Sequence, residues 1–426
     1  MSNERKQSKL DELIRELCPD GVEYLKFSDT CKYIRGITYN KEQEAKPDDI
    51  KPWKVLRANN ITLFSNTLNF DDVKLVKKEV KVKPEQMLIK GDILICAGSG
   101  SKEHIGKVAY ITDDLGYTYG GFMAVIRCNK ELNSRFLFHI LTGVEFSNYL
   151  KVALNSTTIN NLNSSIMAHF SFPVPPLPVQ REIVRILDKF TELTAALIAE
   201  LTAELAARKK QYEFYRDKLL TISNEQVAMC NLGDICESIA DGDHMPPPKA
   251  DTGIPFITIS NITEQNKIDF SNTMFVPHAY YDALAEKRKP QKGDVLYTVV
   301  GSYGIPVCIE EDSEFVFQRH IAILRPKKQI VKPRYMFHAM QSSAFKAQAD
   351  KTAKGVAQKT IGLAALAAMK LPVPSLDVQS RIVNVLDNFD AICSDLKIGL
   401  PAEIEARKKQ YEFYREKLLA FHEISN

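Results

Sequence analysis

The chain has 426 residues, 45% hydrophobic and 26% charged, with a formal net charge of +3. That composition is close to the soluble globular average, leaves room for two or three domains with sizeable cores, and argues against disorder over most of the length. No apolar run approaches the ~18 residues of a membrane span, the eight cysteines form no C-x-x-C pair, and so small a charge excess does not by itself announce a nucleic-acid binder.

The opening MSNERKQSKL lacks the apolar stretch of a secretory signal, and scattered cysteines suit a reducing cytosol. Residues 1–24 form a lead-in. Residues 25–172 then show short β-like runs such as Asp92-Ile93-Leu94-Ile95-Cys96, glycine-containing loops and a helix near 134–150. That pattern predicts a compact α+β domain. Prolines 173, 175, 176 and 178 mark an extended boundary, after which 173–225 reads as one long helix. Its seam runs at alternating steps of three and four: Ile183, Leu187, Phe190, Leu197, Leu201, then after a four-residue stutter Leu205, Tyr212, Tyr215 and Leu219. Such spacing is a coiled-coil seam, and an extra step of four locally unwinds a left-handed supercoil. Residues 191–206 divide into four-residue units, TELT-AALI-AELT-AELA.

The pattern then starts again. Residues 226–371 predict a second α+β domain, and 372–426 a second helical region with seam Ile382, Leu386, Phe389, Leu396, Leu400, Ile404, Tyr411, Tyr414 and Leu418. Residues 207–216 read ARKKQYEFYR, and so do 406–415. The block 173–220 recurs at 372–419 without a gap, matching Pro173-Val174-Pro175 with Pro372-Val373-Pro374 and Phe190 with Phe389. Fainter echoes precede each block: Lys90-Gly91-Asp92 and Lys292-Gly293-Asp294, Asn60-Ile61 and Asn261-Ile262, Phe138-His139 and Phe337-His338. Two seams of one pattern are most simply buried against each other. The second copy alone contains Gly399-Leu400-Pro401, which should kink or break its helix.

Candidate phosphate-contacting or base-reading groups lie in both variable domains. They are the basic strip with Lys74, Lys77 and Lys78; the glycine loop with Ser99 and Lys102; the polar run with Thr157, Thr158 and Asn160; the strip Lys287, Arg288 and Lys289; the loop with Ser302 and Tyr303; and the run with Lys351, Thr352, Lys354, Gln358 and Lys359. Cations, hydroxyls and amides are the groups that bond phosphates and base edges. Each run also has a plainer reading, as a solvated face, a turn or a helix cap. The search for catalytic motifs comes back empty. Gly100 to Gly106-Lys107 is one residue too long for a phosphate loop, His244-Met245-Pro246-Pro247-Pro248 lacks the amide and aromatic of an amino-methyltransferase corner, and a nuclease-like Asp48…Asp72-Lys74 is not repeated in the second domain. His139 and His338, at matched apolar positions, read as buried structural histidines, and no metal site is expected.

Two variable domains joined by repeated proline-led helices, carrying REIVRILDKFTELTAALIAELTAEL with RKKQYEFYRDKLL and RIVNVLDNFD with LPAEIEARKKQYEFYREKLL, resemble the specificity subunits (HsdS) of type I restriction-modification systems, most of all the type IC branch. The resemblance implies an α+β fold with two target recognition domains separated by two long helices in an antiparallel coiled coil, an internal pseudo-two-fold repeat. It implies a non-catalytic cytoplasmic subunit whose domains each read one half of an asymmetric bipartite site on double-stranded DNA. It further implies two modification (methyltransferase) subunits and, through them, restriction (motor-nuclease) subunits. On that reading the chain holds no cofactor, and S-adenosylmethionine, ATP and Mg belong to the partners. The alternatives are a self-sufficient DNA nuclease or methyltransferase, and a coiled-coil adaptor that never touches DNA.

Overall fold

The computed structural model describes residues 8–46, 49–62, 65–99, 104–155, 161–222, 227–242, 247–263, 265–355, 358–394 and 399–424. The chain divides into two units, Met1–Ile198 with Ala406–Asn426, and Ala199–Glu405. Each is α+β, and each is completed by a helical segment from the other repeat block.

In the first unit a four-stranded antiparallel sheet has the order Cys31–Arg35, Met123–Cys128, Ile93–Cys96, Val108–Tyr110. Ile93–Cys96 is buried on both faces, which explains its unbroken apolar run. Beside it stands a mixed three-stranded sheet of Lys74–Val76, Trp53–Leu56 and Thr118–Tyr119. The second unit repeats both sheets in the same order, with Cys236–Asp241, Ile321–Pro326, Val295–Thr298 and Pro306–Cys308 in one and Met274–Val276, Ile254–Ile257 and Val316–Phe317 in the other. In both, a short antiparallel pair leads the chain into the helical block: Tyr24–Lys26 with Ser171–Pro173, and Met229–Asn231 with Lys370–Pro372.

The faint sequence echoes are framework hydrogen bonds. Asp92 Oδ2 accepts from Ile89 N, closing a turn in which Gly91 has φ 89°, and the same carboxylate accepts from Arg127 Nε (2.7 Å) and Nη2 (2.9 Å). Asp294 repeats this with Gln291 N, Gly293 (φ 94°) and Arg325. Asn60 and Asn261 are buried, and each amide ties two carbonyls of the next loop.

The first long helix, Leu177–Ile222, is continuous over 46 residues, ~69 Å at 1.5 Å per residue. The second block contains two helices, Leu376–Ser394 and Leu400–Leu419. Gly399 O accepts from Ala402 N and Glu403 N, so a fresh helix starts there with Pro401 in its first turn. The seam position Leu396 lies outside the described residues.

Within the first unit, Phe190 meets Tyr414 with ring centroids 5.6 Å apart, Thr191 Oγ1 bonds Tyr411 OH (2.9 Å), and Ile183, Leu187 and Leu419 share one core with Phe136 and Leu137. Within the second, Tyr215 stacks on Phe389 at 5.7 Å, and Tyr212 and Leu220 share a core with Ile382 and Leu386. In each case contacts descend one helix as they climb the other, so the paired segments run antiparallel. Their inward faces belong to the domain cores, whereas Leu197, toward the middle of the long helix, is 36% exposed.

Candidate nucleic-acid interface

Matched side chains fix each domain to its helices. Gln180 is fully buried, accepts from Asn133 N and donates to Glu131 O and Pro175 O. Gln379 does the same with Lys332 N, Ile330 O and Pro374 O. Further along, Asp188 accepts from Arg135 and His139, and Asp387 from Arg334 and His338. The distal helix adds Glu416, which accepts from Val144 N, and Asp217, which accepts from Ser343 N, each at the start of a domain helix.

His139 and His338 are buried within these joints. His338 donates from Nε2 to Asp387, so Nδ1 accepts from Tyr212 OH (2.9 Å), while His139 Nδ1 has no partner among the described residues. Burial lowers both imidazole pKa values, and the attraction of the carboxylates does not offset it. Burial also pushes the Asp188 and Asp387 carboxyls upward, but hydrogen bonds and charge from their His and Arg partners hold both below the usual carboxylate range.

The unfolded chain therefore takes up protons that the native histidines refuse as pH falls through about 6.5. Stability contributed by the neutral rings is complete above that value and declines below it, and the aspartates lose their contribution lower still, below about 4. Thermal melts should show a lower Tm at pH 5.5 than at pH 7.5, with a smaller difference in His338→Gln. Equal melting temperatures at the two pH values would contradict this.

At the loop end of the second unit the sequence candidates come together. Gly301 N donates to Lys359 O (3.0 Å), Lys354 and Thr360 exchange backbone hydrogen bonds, and Tyr303 OH donates to Asp350 (2.9 Å). This places Ser302, Tyr303, Lys351, Thr352, Lys354, Gln358 and Lys359 in one neighbourhood. The first unit is built alike: Gly98 bridges Asn161, and Leu162 N donates to Ala97 O (2.7 Å). Ser99 adjoins that bridge, whereas Lys102, Thr157, Thr158 and Asn160 lie outside the described residues, as do Asp48, Gly100 and His244 of the rejected catalytic motifs. Arg35, which the sequence reading missed, reaches this place from its strand and donates to Asn161 Oδ1 and Leu162 O. A lone arginine in a strand carries no loop signal that could have marked it.

The basic strips are partly engaged within the protein. Lys74 pairs with Glu44 (2.6 Å), and Lys78 lies over the Trp53 ring. Arg288 pairs with Asp241 and Lys289 with Glu286, while Lys77 is half-buried and Lys287 exposed. Among the described residues, no group of three or more His, Cys, Asp or Glu is placed to hold a metal ion.

Comparison with known proteins follows the repeat. Residues 19–207 and 224–406 each match the type I restriction modification DNA specificity domain. A Haemophilus influenzae protein described as a type I restriction enzyme specificity subunit is 33% identical over 70% of this chain and 74% of its own length. The EcoR124I/EcoR124II specificity subunit of Escherichia coli is 35% identical over 58% of this chain and 61% of its own. A chain solved in a study of assembly and conformational transition of the type I R-M system superposes with TM-score 0.61 at 17% identity, covering 95% of this chain and 98% of that one.

Proposed function

We infer, since the chain belongs to the type I restriction-modification DNA specificity family, that its two units read the two halves of one bipartite DNA target. The chain is the specificity subunit of a type I restriction-modification system, the non-catalytic component. The observation that carries the finer reading is the repeated build: two units share sheets, glutamine anchors and His–Asp joints, yet fill their loop ends differently. Equal frameworks with unlike loops suit an asymmetric target. Phosphate contacts would set the position of each domain and side chains in the loops would read bases.

The helices would then set the gap between half-sites, at a spacing near one turn of DNA, ~34 Å. Two copies of the ARKKQYEFYR block suit two identical methyltransferase subunits, with motor-nuclease subunits joining through them. S-adenosylmethionine, ATP and Mg would be bound by those partners, and the complex would work in the cytoplasm. No described helix is long and apolar enough to cross a membrane. The test is co-expression with the cognate methyltransferase subunit in a host without adenine methylation, followed by mapping of methyladenine. A two-part, asymmetric motif is expected. Methylation without such a motif, or none at all, contradicts the reading.

A further inference from the structure

We propose that the turn 318–320, Gln-Arg-His, reads base edges for the second domain, and that 120–122, Gly-Gly-Phe, occupies the same place in the first; the assignment rests on the DNA-recognition reading above. Both turns carry the chain from the three-stranded sheet to the four-stranded one, and the same backbone bonds pin them. Gly120 N donates to Leu56 O and Gln318 N to Ile257 O; Met123 N donates to Gly120 O and Ile321 N to Gln318 O. Ala97 N donates to Phe122 O and Val299 N to His320 O, both at 2.8 Å. Those two partners are in turn tied to the polar runs, through Leu162 N to Ala97 O and Ile361 N to Val299 O.

A glycine lies against each turn. A Cβ on Gly36 would stand 2.3 Å from Gly120 O, and one on Gly242 would stand 2.0 Å from Phe317 O. The main chain of the turn is therefore held in place, and the two domains differ in what they mount on it. Rigid presentation reduces the entropy lost on binding.

The second domain mounts hydrogen-bonding groups. Arg319 is exposed and makes no side-chain hydrogen bond or ion pair among the described residues, unlike Arg288 and Arg325. Burial and the Arg319 charge lower the His320 pKa, which leaves a neutral ring with one donor and one acceptor. An arginine fork matches guanine O6 and N7, and a glutamine amide matches adenine N6 and N7. The first domain mounts Phe122, 74% exposed, which can make only apolar contact, such as with a thymine methyl group.

The experiment uses the complex with its methyltransferase subunits and maps methyladenine for the parent, Arg319→Ala, Arg319→Lys, Gln318→Ala and Phe122→Ala. Arg319→Ala is expected to lose about ten-fold or more in discrimination at one base pair of one half-site, leaving the other half and the gap unchanged. Arg319→Lys keeps the charge but not the fork, and should relax the same position. Phe122→Ala should alter the other half. If the parent has a two-part target and the Arg319 and Gln318 variants keep every base preference, the assignment is overturned alone. Uniformly weaker methylation with unchanged preferences also overturns it, because that is the signature of a phosphate contact. A parent with no two-part target overturns the recognition reading, and this assignment with it.

Discussion

A chain ending at Glu405 is expected to lose the fold of its first unit and keep that of the second. Residues 406–424 lie far from the first domain in sequence, yet they close it. Leu419 belongs to its core, with Leu418 and Phe421 packed against it, and Tyr411 and Tyr414 meet Thr191 and Phe190. Glu416 receives the Val144 amide, Val22 pairs with Glu423, and Tyr24 OH donates to Phe421 O. Burial of each large apolar side chain contributes roughly 1.5–3 kcal/mol, so several together rival the ~5–15 kcal/mol that holds a whole domain folded. The second unit draws its distal helix from before residue 223 and is untouched by the truncation. Limited proteolysis should leave a protected fragment from the second unit and degrade the first. Equal protection of both units would contradict the packing described.

Arg325→Ala should destabilise the second unit by about 3–5 kcal/mol, because it leaves a buried carboxylate without its cation. The Asp294 side chain is 3% exposed, and after the change it keeps only the Gln291 amide. Arg127→Ala should act alike on Asp92 in the first unit, where the carboxylate is 2% exposed. Adding Asp294→Asn to Arg325→Ala removes the stranded charge, so the double variant should be more stable than the single one. Urea unfolding measures all three, and a single variant within about 1 kcal/mol of the parent would sink the argument.

The repeat was legible because identical residues recur in step, and the helices because apolar residues keep a coiled-coil period. Lys90-Gly91-Asp92 and its copy were legible as framework but not in role, since Asp294 and Arg325 lie on separate segments and no local pattern joins them. The loops around Ser302 and Lys354 were each visible as polar runs. Their meeting depends on backbone bonds such as Gly301 N to Lys359 O, which side-chain identity does not encode. The strip at Lys74 looked like free charge because Glu44, its partner, sits on a separate segment. The turn 318–320 has no periodicity to mark it and became visible only beside its counterpart.

The most direct test of the spacer is to delete residues 202–205 from the continuous helix and map methylation against the parent. Three of these four residues are exposed, so little packing is lost. The deletion shortens the helix by ~6 Å and rotates the remainder by ~40°. The account predicts the same two half-sites with their gap changed by about one to two base pairs, since about ten base pairs span ~34 Å. An unchanged gap, or altered half-sites at the old spacing, would contradict it.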